Sequence, residues 1–134
     1  MGVSERRLLQ AAIILACVVP IGAGAAGMIN GPGHAAAGSV DLDSHFRYLS
    51  GLLFGLGLGF LSCVPRIEQQ GSIFRLLGLM VIVGGLARLG AALFIGWPGP
   101  AHIFALVMEL GIVPSLMLWQ YRVARIWSKN SSAR

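Results

Sequence analysis

Two charged residues, Arg88 and Glu109, stand inside the apolar run formed by residues 82–109. A charge in hydrocarbon costs a few kcal/mol or more, so such a residue pairs, lines a wet path or binds something charged. Between them lies one tight-turn signal, Trp97-Pro98-Gly99-Pro100, and the midpoint of 88 and 109 falls between Pro98 and Gly99. Each charge is therefore about ten residues from the turn, and a short antiparallel connection brings both to one depth. Gly84, Gly85, Ala91 and Ala92 stand three and four residues from Arg88. Those are the neighbouring positions on a helix, and small residues there mark a packed interface.

His102 precedes Glu109 by seven residues, on nearly the same helix face and nearer the outer surface. Arg88, Glu109 and His102 could form a polar file running inward from outside. Arg47, at the outer end of an earlier apolar run, is the fourth candidate for a ligand or ion pathway. Two chemistries compete. One is a static ion pair that fixes helix packing, which is the favoured expectation. The other is a ligand, proton or ion site open to the outer side, as in a small transporter or channel. Small multidrug exporters resemble the chain in length and span number, but they carry their key carboxylate in the first helix. Here the deep carboxylate, Glu109, falls in the fourth.

No nucleophile, base and orienting residue stand at an interpretable spacing, so an enzyme is not expected. Asp41, Asp43, His34 and His45 match no metal-ligand pattern. His34, His45 and His102 all fall toward the outer side, where none has a haem-ligating partner across the membrane. No metal and no cofactor are expected.

The elements that position these residues follow from composition. Of 134 residues, 56% are hydrophobic and 11% charged, and the mean hydropathy is +0.78. A soluble domain of this size needs more polar surface. A helix crosses the hydrocarbon core with about 20 apolar residues, so four spans with short loops use up the chain. The expected fold is all-α: an integral membrane four-helix bundle of antiparallel up-down topology, one transmembrane domain over 1–134, with spans near 8–29, 46–64, 73–95 and 101–119. Pro20 and Pro114 are expected to kink the first and fourth spans. Asp43 or Ser44 is expected to cap the second. Gly51, Gly55 and Gly59 repeat every four residues, and with Gly84 and Gly85 they are the candidate helix-packing surfaces.

The net charge of +5 does not indicate nucleic acid, because the cations lie at the ends of apolar runs. Arg6, Arg7, Arg66, Arg75, Arg122, Arg125, Lys129 and Arg134 fall on one side and Arg47 on the other. That asymmetry puts both termini in the cytoplasm, in a multi-pass protein of the cell inner membrane. Arg122, Arg125, Lys129 and Trp127 form a basic, aromatic tail suited to lipid headgroups. The bilayer is thus an expected partner, with a homo-oligomer or another membrane protein as further possibilities. Arg outnumbers Lys nine to one among the ten basic residues, a composition typical of GC-rich bacterial genomes.

A basic head, an apolar stretch to Val19, the breaker Pro20-Ile21-Gly22 and Ala23-Gly24-Ala25 also fit a cleaved secretory signal. The run continues through Ile29, long enough to span, and a retained first helix is expected. Cys17 and Cys63 are expected to differ in depth by roughly 10 Å at 1.5 Å per residue, too far for a disulfide.

Four stretches carry a family resemblance: Asp43-Ser44-His45-Phe46-Arg47-Tyr48-Leu49-Ser50-Gly51, Pro65-Arg66-Ile67-Glu68, Gly84-Gly85-Leu86-Ala87-Arg88 and Met108-Glu109. Together they resemble an uncharacterised bacterial membrane family, domain of unknown function 4345. The resemblance implies a small four-span membrane protein and sets Arg47, Arg88 and Glu109 in a shared pattern. It brings no activity, substrate or cofactor.

Overall fold

The computed structural model describes residues 2–33 and 39–132. The sequence candidates His34 and Arg134 lie outside them. The described chain is helical, with no strand. Four helical stretches are long and apolar enough to cross a membrane: Ser4–Asn30, Val40–Arg66, Gly71–Phe94 and Pro100–Ser131. We number the elements α1 (Gly2–Asn30), α2 (Val40–Cys63), α3 (Gly71–Phe94), α4 (Pro100–Val107) and α5 (Val113–Ser132). A π-helical turn, Met108–Ile112, joins α4 to α5 in one continuous stretch. Contacts divide the chain into two compact units: residues 10–65, and the residues up to Leu9 together with those from Arg66 onward.

The first unit pairs the body of α1 with α2 as an antiparallel hairpin. A Cβ built on Gly24 would lie 2.7 Å from the Phe54 amide nitrogen, and one on Gly27 would collide with the Ser50 hydroxyl. Farther along, Gly57 of α2 makes room for Ile21 and the Pro20 ring, and α1 runs unbroken through Pro20. At the far end, Gln10 Nε2 donates to the Val64 carbonyl at 2.7 Å. The expected packing stripe of Gly51 and Gly55 is not the one this hairpin uses. A Cβ on Gly55 would meet nothing within 4 Å, and one on Gly51 only the Met28 sulfur at 3.4 Å. The stripe stands one position after Ser50 and Phe54, about 100° round the helix from the true contact face.

The start of α2 also differs from expectation. Ser39, not Asp43 or Ser44, is the N-cap, with its Oγ accepting from the Leu42 amide at 3.2 Å. The helix thus begins a turn earlier, and Asp43 becomes a residue of that opening stretch, where an acid suits the positive helix end.

The second unit pairs α3 with α4 and α5. Gly71, Gly78, Gly85 and Ala92 recur every seven residues along α3. A seven-residue repeat keeps one seam facing a partner helix. Opposite lie Gln120 beside Gly71, Met117 beside Gly78, and Glu109 with Leu110 beside Gly85. Gly84 meets nothing within 4 Å, so of the Gly84-Gly85 pair only Gly85 carries the close approach. The turn between the helices uses Gly96 at φ 139, a conformation glycine tolerates. Pro100 then opens α4 in its first turn, where a missing N–H costs nothing.

The last helix runs to Ser132, well past the expected end of the fourth span near 119. Its extension carries the tail expected to meet headgroups, and Val123 is buried there. Glu5 and Arg6, at the start of α1, pack against this part of the chain.

Candidate functional site

The seven-residue seam of α3 fixes where Arg88 can point. It stands three residues after Gly85 and four before Ala92, both buried, and so shares their face. Across from it, Glu109 sits in the π-helical turn. Arg88 Nε donates to Glu109 Oε2 and Nη2 to Oε1, each at 3.1 Å. This is the two-pronged arrangement in which a guanidinium and a carboxylate match best. The Glu109 side chain is 18% exposed and that of Arg88 35%. A Cβ at position 85 would lie 2.8 Å from the Glu109 Cβ. Glycine there is thus what lets the carboxylate-bearing backbone come close.

The π turn has a local cause. Pro114 has no N–H, and in a regular α-helix its ring would crowd the carbonyl four residues back, at Leu110. The backbone takes up one extra residue ahead of the proline instead, and the Val113 N–H reaches back five residues to the Met108 carbonyl. Ser115 Oγ donates to the Gly111 carbonyl at 2.8 Å on the far side of the turn. The proline effect expected as a kink is therefore a widened turn, and Glu109 is part of it.

His102 is exposed on α4, two turns before Glu109. Among the described residues its imidazole makes no hydrogen bond or ion pair, and the structure does not bring it to Arg88 or Glu109. At 1.5 Å per residue the seven-residue separation is roughly 10 Å along the axis.

Arg47 does something else. Its Nε donates to Asp43 Oδ2 at 2.8 Å and its Nη2 to Oδ1 at 3.3 Å. Its Nη1 donates to the Met28 carbonyl and, at 3.0 Å, to that of Ile29. The last carbonyls of a helix have no partner within it, and this guanidinium supplies one. Gly31 follows at φ 67, its amide closing on the Gly27 carbonyl at 2.9 Å. A Cβ on Gly31 would strike Asp43 Oδ1 at 2.6 Å. Four of the five guanidinium N–H groups of Arg47 are thus engaged, two with Asp43 and two with the last carbonyls of α1.

The expected headgroup residues are partly drawn inward. Arg122 Nη2 pairs with Glu5 Oε1 at 3.3 Å but keeps 69% of its side chain exposed. Arg6 bonds to Glu68 at 2.8 Å and lies over the Trp127 ring, 5.6 Å from its centre. Arg125 lies over Tyr121 at 5.9 Å, and Lys129 is exposed.

Several organising residues were not singled out by the sequence reading. Gly24, Gly27 and Gly78 make close approaches, and of these only Gly78 has a visible signal, the spacing from Gly71 to Gly85. Gln120 is completely buried and donates to the Ile67 carbonyl at 2.9 Å, tying α5 to the segment before α3. Among the described residues its Oε1 has no hydrogen-bond partner. A lone amide at the end of an apolar run gives no warning of such a role. Cys17 and Cys63 are buried free thiols. Among the described residues no three His, Cys, Asp or Glu side chains gather where they could hold a metal ion.

A family model, Domain of unknown function (DUF4345), matches residues 8–120. No curated protein and no solved structure matches the chain. The match reaches into all four membrane-length helices and includes both Arg88 and Glu109, and the chain belongs to this family of unknown function.

Proposed function

We propose that this is a non-enzymatic protein of the bacterial inner membrane: an accessory, assembly or structural component. In this reading α3 and the last helix are locked within the bilayer by the Arg88–Glu109 ion pair. Both termini face the cytoplasm, as the distribution of arginines favours. The observation that carries the reading is the two-pronged contact itself. Each charge supplies the other's partner, which is what a packing element needs. Such a protein works through what it holds, either further copies of itself or another membrane protein. Purification of the native protein from mild detergent tests this. A constant partner or a defined homo-oligomer supports it, and a monomer that brings nothing down from native membranes counts against it.

One observation favours a second reading, a small transporter or channel with a polar site at Arg88, Glu109 and His102 open to the outer side. Glu109 lies in a π turn, a feature that recurs at functional sites. Solute or proton flux in proteoliposomes that disappears in Glu109→Gln would move the assignment to this class. Reporter fusions at each end test the orientation, and an external C-terminus would overturn it. N-terminal sequencing decides whether the first helix is retained.

A further inference from the structure

The cations at one end of the second unit are not equivalent. Two carboxylates are present there, Glu68 and Glu5, and they engage Arg6 and Arg122. Arg7, Arg66, Arg75, Arg125 and Lys129 are exposed and have no carboxylate partner among the described residues. Their common location follows from the contacts. Arg6 reaches both Glu68 and Trp127, Gln120 reaches Ile67, and the guanidinium of Arg75 lies beside Gly71 next to Gln120. The start of α1, the segment before α3 and the C-terminal part of α5 therefore converge. Arg122, Arg125 and Lys129 follow one another at intervals of three and four, a single stripe on α5. Tyr121 and Trp127, both partly exposed, stand in the same helix, and such rings favour the headgroup level.

We infer that this end is a binding surface for anionic phospholipid headgroups, with Arg75, Arg125 and Lys129 as its principal contacts. Glu5 and Glu68 pair with Arg122 and Arg6 and leave the remaining cations for the lipid phosphate. The partner is a lipid because the charged end continues directly from helices long and apolar enough to cross a membrane. A headgroup there meets the cations while its acyl chains lie along those helices. The inference rests on the membrane-spanning reading but not on the role given to Arg88 and Glu109.

The test uses the full chain in a neutral detergent. Phosphatidylglycerol and phosphatidylcholine of identical acyl chains are supplied in equal amounts, and retained lipid is counted by native mass spectrometry. Phosphatidylglycerol should be preferred, and Arg75→Gln/Arg125→Gln/Lys129→Gln should remove most of that preference, about fivefold for each cation lost. Rising salt should weaken the preference of the unaltered chain in parallel, which keeps the test sound if the triple variant is poorly made. Equal retention of the two lipids, or a preference untouched by both the substitutions and salt, overturns the inference. So does displacement of the lipid by an equal concentration of soluble glycerol phosphate, which identifies a free-phosphate site. A chain that fails to enter membranes at all overturns the spanning reading instead.

Discussion

The two helical hairpins solve the same problem with different chemistry. Between α1 and α2 one close contact is glycine against backbone, at Gly24, with Gly27 set against the Ser50 side chain, and the charged residues stand at the end, where Arg47 closes the terminus of α1. Between α3 and the last helix the seam is glycine against side chain, at Gly78 and Gly85, and a charged pair sits partway along it. A polar group at a helix end satisfies carbonyls that would otherwise need water. A charge partway along an apolar helix has no water to fall back on and depends on its partner. The hairpins should therefore fail differently. The first should lose stability through crowding and fraying, and the second through a stranded charge.

The largest effect is expected from Glu109→Ala, which leaves Arg88 without its partner. Removing one member of a buried pair costs 3–5 kcal/mol, and about 3 kcal/mol is expected here because Arg88 is about a third exposed. Thermal unfolding in detergent and abundance in membranes both report it. Next comes Gly24→Ala. The added methyl meets the Phe54 amide and the Ser50 carbonyl, which cannot swing aside, so a loss of about 2 kcal/mol is expected. Gly78→Ala meets only the Met117 side chain and should cost clearly less. If the two alanines cost the same, the contrast between the backbone contact at Gly24 and the side-chain contact at Gly78 is wrong. Gly31→Ala follows, at about 1 kcal/mol for a left-handed backbone position. The smallest effect is that of Arg47→Lys, which keeps the charge but loses the fork. Faster amide exchange in the last turn of α1, with the midpoint of thermal unfolding hardly moved, is its expected signature.

These contrasts also mark what was legible in the residues. The four apolar runs and the Trp97-Pro98-Gly99-Pro100 turn define the helices of the fold, because crossing hydrocarbon demands length and hydropathy that composition displays directly. The residues that meet, Arg88 and Glu109, stand in the chain at equal distances from Pro98-Gly99. The glycines were harder to read. Periodicity groups Gly51, Gly55 and Gly59 on one face, but it does not say which face meets a partner, and Gly24, Gly27 and Gly57 make the contacts instead. The start of α2 was expected a turn too late, because Asp43 and Ser44 fit the capping pattern as well as Ser39 does, and Ser39 is the residue that caps it. The π turn at Glu109 was out of reach, since Pro114 signals only that the α-helical ladder is interrupted. How the backbone absorbs the interruption depends on the neighbouring turn.

The central claim is that Arg88 and Glu109 stabilise the protein as a pair. A double-mutant cycle tests it most directly: thermal unfolding of the unaltered chain, Arg88→Ala, Glu109→Ala and the double variant in one detergent. The account predicts that each single change is costly and that the double change costs less than their sum, by about 1–3 kcal/mol of coupling. Losses that simply add, or single variants as stable as the unaltered chain, would contradict it.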